Sequence, residues 1–210
     1  IRPAAFCGVF GFKPTHGLIP RTGVLKLSRS LDHVGMFARS IDDLALAAET
    51  LMGWDAEDPD TQPRATIPFT RIAAQEPPLP PLLGFVKPPV WDRADAETRA
   101  AFAEIAEELK DCVVEIELPS STAAMLDWHR TIMEAEMAAN LDREFEQGKD
   151  QLSESLRTHL ARGGELRAFD YQRALARIPL LNAAFDEIFE RCDAFITPAA
   201  PGAAPRGLAY

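Results

Sequence analysis

Residues 82–119, LLGFVKPPVWDRADAETRAAFAEIAEELKDCVVEIELP, decide the fold class. The opening run LLGFVK is short and apolar and is halted by Pro88 and Pro89, the pattern of a buried strand. Asp95 then begins a helical stretch in which Phe102, Ile105, Ala106 and Leu109 share one stripe, and CVVEIELP at 112–119 alternates as a second strand. Strand, helix and strand at this spacing predict a βαβ unit with parallel strands and a right-handed crossover.

Toward the N-terminus, SIDDLALAAETLMG predicts a helix over 41–52. Ser40 is its cap, Asp43 its third residue, Gly53 its stop, and Leu44, Ala47, Ala48 and Leu51 form its buried face. Residues 1–35 hold short apolar runs between glycines and prolines and read as tight loops and short strands. WDAEDPDTQPRATIPFT and QEPPLPP lack periodicity and read as a proline-rich surface connection.

Toward the C-terminus, residues 121–192 are largely helical. One long amphipathic segment ends near Gly148, SESLRTHLARG stops at Gly163 and Gly164, and a third segment from about Arg167 to Cys192 is kinked or divided by Pro179. DAFITP at 193–198 returns as a strand. The class is α/β: a mixed sheet core flanked by helices, with a helical subdomain. Its parts are a first half at 1–60, linker and βαβ unit at 61–120, helical subdomain at 121–192, and return strand and loop at 193–210.

Hydrophobic residues make up 47% of the 210 and charged residues 26%, which is globular rather than disordered composition. The net charge of -10 argues against nucleic acid as a direct partner, because phosphate binding needs clustered Lys and Arg. No run reaches the roughly 18 apolar residues of a membrane span, so no membrane partner is expected. Cys7, Cys112 and Cys192 are widely spaced, which fits reduced thiols and a cytoplasmic protein.

The four histidines, His16, His33, His129 and His159, do not stand at metal-ligand spacings, so no metal is expected, and no cofactor motif is present. Asp55, Glu57, Asp58 and Asp60 miss the calcium-loop pattern and read as a solvated loop. CGVFG lacks the spacing of a phosphate loop, and no Gly-x-Ser-x-Gly elbow occurs. Trp128, His129, Ile132 and Met133 fall together on a helix, either as ordinary packing or as the wall of a substrate pocket in which His129 offers a hydrogen bond. Arg2 precedes Pro3, which biases it toward extended backbone, and it lies among small apolar residues. Its guanidinium calls for a carboxylate, supplied by an internal Asp or Glu or by a substrate.

IRPAAFCGVFGFKPTHGLIPRTGV at 1–24 and LSRSLDHVGMFARSIDDLALAAETLMGWDAEDPDT at 27–61 closely resemble the amidase signature family. The Arg-Pro-Ala turn, Phe-Cys-Gly, Lys13-Pro14-Thr15, Ser-Leu-Asp, Gly35 and Ala38-Arg39-Ser40 match in order and spacing, and CDAFITPAAPGAAPRGLAY at 192–210 resembles the family's late strand and loop. The resemblance implies amide hydrolysis or transfer by a Ser, cis-Ser, Lys triad whose nucleophile lies in a Gly-Ser stretch just before Ile1, with the other two members further upstream. Lys13, Lys26 and Lys87 do not match the catalytic lysine, so no catalytic role falls on any residue here, and several core strands are expected to be missing.

In members acting on dicarboxylic half-amides, an arginine matching Arg2 binds the substrate carboxylate. The expected substrate-binding residues are therefore Arg2, Trp128, His129, Ile132 and Met133. The resemblance implies a small-molecule amide substrate, no cofactor and a homodimer. Two alternatives stand beside hydrolysis: an amidotransferase A-subunit serving tRNA-dependent transamidation, and a non-catalytic binding module.

Overall fold

A computed structural model describes residues 1–207, so the final part of the family-like C-terminal stretch, 208–210, lies outside the described residues. In chain order the elements are α1 (Arg2–Cys7), β1 (Phe10–Phe12), β2 (Met36–Ala38), α2 (Ile41–Leu51), α3 (Phe69–Ala73), β3 (Leu83–Val86), α4 (Ala96–Leu109), β4 (Val113–Ile116), α5 (Met125–Asn140), α6 (Asp142–Gly148), α7 (Glu154–Glu165), α8 (Ala168–Leu175), α9 (Ile178–Phe189) and β5 (Ala194–Ile196). They fall into two compact units. The first holds Ile1–Pro20, His33–Leu118 and the described residues from Glu187 on; the second holds Arg21–Asp32 and Pro119–Asp186. The units cut across the sequence segments, because twelve residues of the first half, 21–32, fold with the helices.

In the first unit the βαβ reading holds: β3 and β4 are parallel, with Leu83 opposite Val113 and Val86 opposite Ile116. The return strand β5 joins the other edge of β3, also parallel, giving the order β4-β3-β5. The central strand is the most apolar and the most buried. Gly84 belongs there because a Cβ would stand 2.7 Å from Ile116 Cδ1 and 3.1 Å from Cys192 Sγ. Asp193 N donates to Leu82 O and Leu82 N to Asp193 Oδ2, each at 2.8 Å, which fixes where β3 and β5 begin to pair. Asp95 caps α4 by accepting from Thr98 N at 2.7 Å, and Phe102 from that helix stacks on Phe85 with centroids 6.2 Å apart.

Also in the first unit, β1 and β2 form an antiparallel pair with Gly11 opposite Phe37. Ser40 caps α2 as expected, and Leu44, Ala45 and Ala48 are its buried residues. Two expectations change here. Residues 2–7 form a short helix rather than a loop, and Arg2 is helical rather than extended: Pro3 lies in the first turn, where its missing N–H costs nothing. The proline-rich connection contains the five-residue α3, tied down where Thr70 N and Oγ1 donate to Glu49 Oε2 at 2.9 and 2.6 Å.

The second unit is built on α5 and α7. Met137, Leu141 and Leu160 form its buried cluster, with Met133, Phe145, Leu152 and Leu156 packed against it. The long helix expected to end near Gly148 breaks at Leu141, whose φ of -110° and ψ of 20° leave the helical region while its side chain enters the core. Helix α7 runs through both glycines expected to stop it. Gly163 is needed because α5 passes so close that a Cβ would overlap the carbonyl oxygen of Glu134. The last long helix divides between α8 and α9 at 176–177, and Pro179 occupies the first turn of α9, where proline is tolerated.

The adjacent glycines give opposite outcomes on substitution. Gly163→Ala forces α5 and α7 apart and lowers stability by about 2 kcal/mol in chemical denaturation. Gly164, with open space where its Cβ would go, gains roughly 0.5–1 kcal/mol on change to Ala.

Candidate functional site

The best-defined polar centre lies inside the second unit. Glu136, on α5, accepts from Ser28 Oγ at 2.5 Å, Ser30 Oγ at 2.5 Å, Ser30 N at 2.9 Å and the Tyr171 hydroxyl at 2.7 Å. The 21–32 segment is also braced internally. Arg21 donates to the carbonyls of Arg29 and Asp32, and Asp32 Oδ2 accepts from Leu27 N and Ser28 N at 2.8 and 2.9 Å. Asn140 Nδ2 adds a bond to Leu27 O at 3.0 Å.

Burial raises the Glu136 carboxyl pKa, but the hydrogen bonds from Ser28, Ser30 and Tyr171 outweigh it and hold the group below its ordinary value. Burial and the bond to Glu136 together push the Tyr171 hydroxyl up. A depressed carboxylate is a poor general base, and Ser28 is buried at 1% exposure, so this centre fastens a loop and does not attack a substrate.

Two residues earlier on α5, the buried Glu134 accepts from His159 Nδ1 at 2.8 Å and lies 3.4 Å from Arg162 NH1, which joins α5 to α7. Buried carboxylates need such partners, and this one has two.

The expected site residues are distributed as follows. Arg2 is exposed at the start of α1, and among the described residues no carboxylate pairs with it, so the internal partner expected for it is not found. Trp128 is half-buried and His129 exposed, both near the start of α5. Ile132 is buried at 2% exposure, and Met133 packs on the Met137–Leu141–Leu160 cluster, so packing occupies both. The four α5 residues and Arg2 belong to different units.

Sequence reading missed Glu136, Ser28, Ser30 and Tyr171, because hydroxyls and a carboxylate at these separations match no local motif. It also missed Arg177, whose guanidinium carbon lies 5.5 Å from the centroid of the Trp128 ring. Among the described residues no group of three or more His, Cys, Asp or Glu could hold a metal, and no helix is long and apolar enough to cross a membrane.

The family model described as Amidase matches residues 1–208. The chain belongs to the amidase family. Among curated relatives, this amidase-family chain is 30% identical over 231 residues to the glutamyl-tRNA(Gln) amidotransferase A-subunit of Synechococcus sp. (strain JA-2-3B'a(2-13)), covering 95% of the chain and 44% of that relative. The protein of the same name from Thermus thermophilus is 37% identical over 145 residues, covering 68% of the chain and 30% of the relative.

Among solved structures, an inhibitor-bound complex is described as an unexpected vestigial protein complex that reveals the evolutionary origins of an s-triazine catabolic enzyme. It superposes with a TM-score of 0.87 at 25% identity, over 97% of this chain and 44% of that one. A crystal structure of an amidase gives 0.79 at 26% identity, over 97% and 43%. The mixed α/β fold is therefore the one expected, and the chain spans less than half the length of these relatives.

The Glu136 centre carries a pH signature. Its folded pKa is depressed, so its stabilisation is fully present above the unfolded value of about 4.3 and is lost as pH falls through the folded value. Glu136→Gln costs about 2–3 kcal/mol at pH 7, and in denaturation series the gap to the wild type narrows below about pH 4.

Proposed function

We propose that the protein is an amide-cleaving enzyme working through a serine acyl-enzyme. Support comes from the family match over residues 1–208, which includes the motif-bearing segment at the N-terminus. In this reading a serine in a Gly-Ser stretch before Ile1 attacks the amide carbonyl carbon. Its proton passes through the bridging cis-Ser to an unprotonated lysine, and backbone amides hold the oxyanion. Collapse breaks the C–N bond and releases ammonia or an amine that takes up the proton; water then cleaves the ester to a carboxylic acid. The residues from Ile1 on supply scaffold and substrate contacts. In the first unit, Arg2, exposed and without a carboxylate partner among the described residues, is a proposed contact to a small-molecule amide. In the second unit, taken by itself, Trp128 and His129 are the expected contact residues with surface to offer a ligand, while Ile132 is buried and Met133 packs on the core cluster.

A second reading has its own support in the name shared by the Synechococcus and Thermus relatives, the A-subunit of a glutamyl-tRNA(Gln) amidotransferase. There the nitrogen released would go to a tRNA-borne acyl group on a partner rather than to solvent. Ammonia release by the protein alone favours hydrolysis; release that appears only with a co-purifying second protein favours transfer.

The deciding experiment expresses the complete reading frame and assays ammonia release from simple amides. Turnover is expected, and alanine in place of the serine before Ile1 should abolish it; no turnover with that serine and an upstream lysine present refutes the proposal. In the same protein Arg2→Ala should reduce kcat/KM for acidic amides about tenfold more than for neutral ones, whereas equal losses would make Arg2 structural.

A further inference from the structure

Helix α4, in the first unit, leaves half of its apolar stripe uncovered. Among the described helices of eight or more residues, it is the one without a buried residue. The stripe expected over Phe102, Ile105, Ala106 and Leu109 is used only in part. Phe102 and Ala106 are half-buried, with Phe102 stacked on Phe85, whereas Ile105 is 42% and Leu109 37% exposed.

The helical turn arranges these side chains in neighbouring rows, each made of residues four apart. Thr98, Phe102 and Ala106 form the half-buried row. Beside it Ala101, Ile105 and Leu109 form an exposed apolar ridge, with Glu97 at its N-terminal end, and Glu104 and Glu108 flank the ridge on its outer side. Among the described residues no ion pair reaches Glu97, Glu104 or Glu108. Arg99 lies on the other flank of the helix, where it donates to Ala94 O at 2.6 Å.

The charges on this face oppose the helix that carries them. Glu104 and Glu108 stand one turn apart and repel each other. Glu107 and Glu108 place negative charge in the last turn, at the negative end of the helix dipole, and that turn holds no base. An incoming cation relieves both, and an apolar surface arriving with it removes Ile105 and Leu109 from water.

We propose that the outer face of α4 is a docking surface for a basic amphipathic helix of a partner protein, its apolar side on Ile105 and Leu109 and its Lys or Arg side chains on Glu104 and Glu108. Charge selects this occupant. The same face of a second copy would set glutamates against glutamates, and nucleic acid or an anionic membrane would meet the same repulsion. A helix fits because its own ridge of side chains packs beside the 101–105–109 row.

The test uses the protein expressed from its complete reading frame and two synthetic helical peptides, one of leucine and lysine and a counterpart with glutamate for lysine. The lysine peptide should bind with an affinity that falls as salt rises, and the glutamate peptide should not bind. Glu104→Gln with Glu108→Gln should weaken binding about tenfold without lowering the melting temperature, and Ile105→Ser with Leu109→Ser should weaken it by about as much. Glutamine at Glu144 and Glu146, exposed on α6, should leave binding unaltered. A benzophenone on Ile105→Cys should cross-link the lysine peptide, and one on Ala103→Cys, on the far flank, should not.

No binding, equal loss from the two glutamine pairs, or equal cross-linking from both positions would each overturn the proposal. Slow maleimide labelling of Leu109→Cys relative to Ala103→Cys in the protein alone would overturn it too, because the ridge would then be covered by the protein's own chain or by a second copy.

Discussion

The carboxylate of Glu136 joins two stretches of chain more than a hundred residues apart, accepting hydrogen bonds from Ser28 and Ser30 on one side and Tyr171 on the other. Closing so long a loop costs conformational entropy, and charge-assisted hydrogen bonds from several donors offset that cost locally. The 21–32 segment would otherwise be a polar loop carrying exposed Val24, Leu25 and Leu27, with little apolar burial to hold it. Its internal bonds from Arg21 and to Asp32 shape it, and Glu136 attaches it. The second unit therefore consists of helices plus a segment captured from far upstream.

Helix α5 bears most of that unit's constraints. One face places Met137 in the core with Leu141 and Leu160, another gives Glu134 to His159 and Arg162, and a third gives Glu136 to the captured segment. The close pass of α7 at Gly163 brings the two backbones together, so Glu134 can be satisfied by side chains of ordinary length. In the first unit the corresponding constraint is the buried strand β3. Its place between β4 and β5 requires the chain to return after the whole helical region, which makes the sheet rich in distant contacts.

The carboxylates of Glu134 and Glu136 are occupied with donors and fix backbone, whereas the exposed arginines Arg2 and Arg177 carry charge that no carboxylate among the described residues neutralises. Buried carboxylates in the second unit therefore serve to join segments, each satisfied by several donors.

The βαβ unit, the capped helix α2 and the return strand were legible in the sequence, because apolar period, proline stops and capping residues such as Ser40 and Asp95 act over a few residues. Family membership was legible for the same reason, in the ordered motifs between Ile1 and Thr61. Other features depended on what lay across space. Gly163 and Gly164 look alike as helix stops, yet α7 passes through both, and the approach of α5 is what makes Gly163 necessary. Leu141 breaks a periodic helix while its side chain fills the core, and Arg2 sits in a helix that its proline neighbour argued against. By itself the sequence determined the βαβ unit, the capped helix α2, the return strand and the family, since those follow from local backbone preference and motif order. The capture of 21–32 by Glu136 and the stacking of Arg177 on Trp128 were decided only in the tertiary structure, because hydrogen bonds and ring contacts between residues far apart in the chain leave no periodic trace.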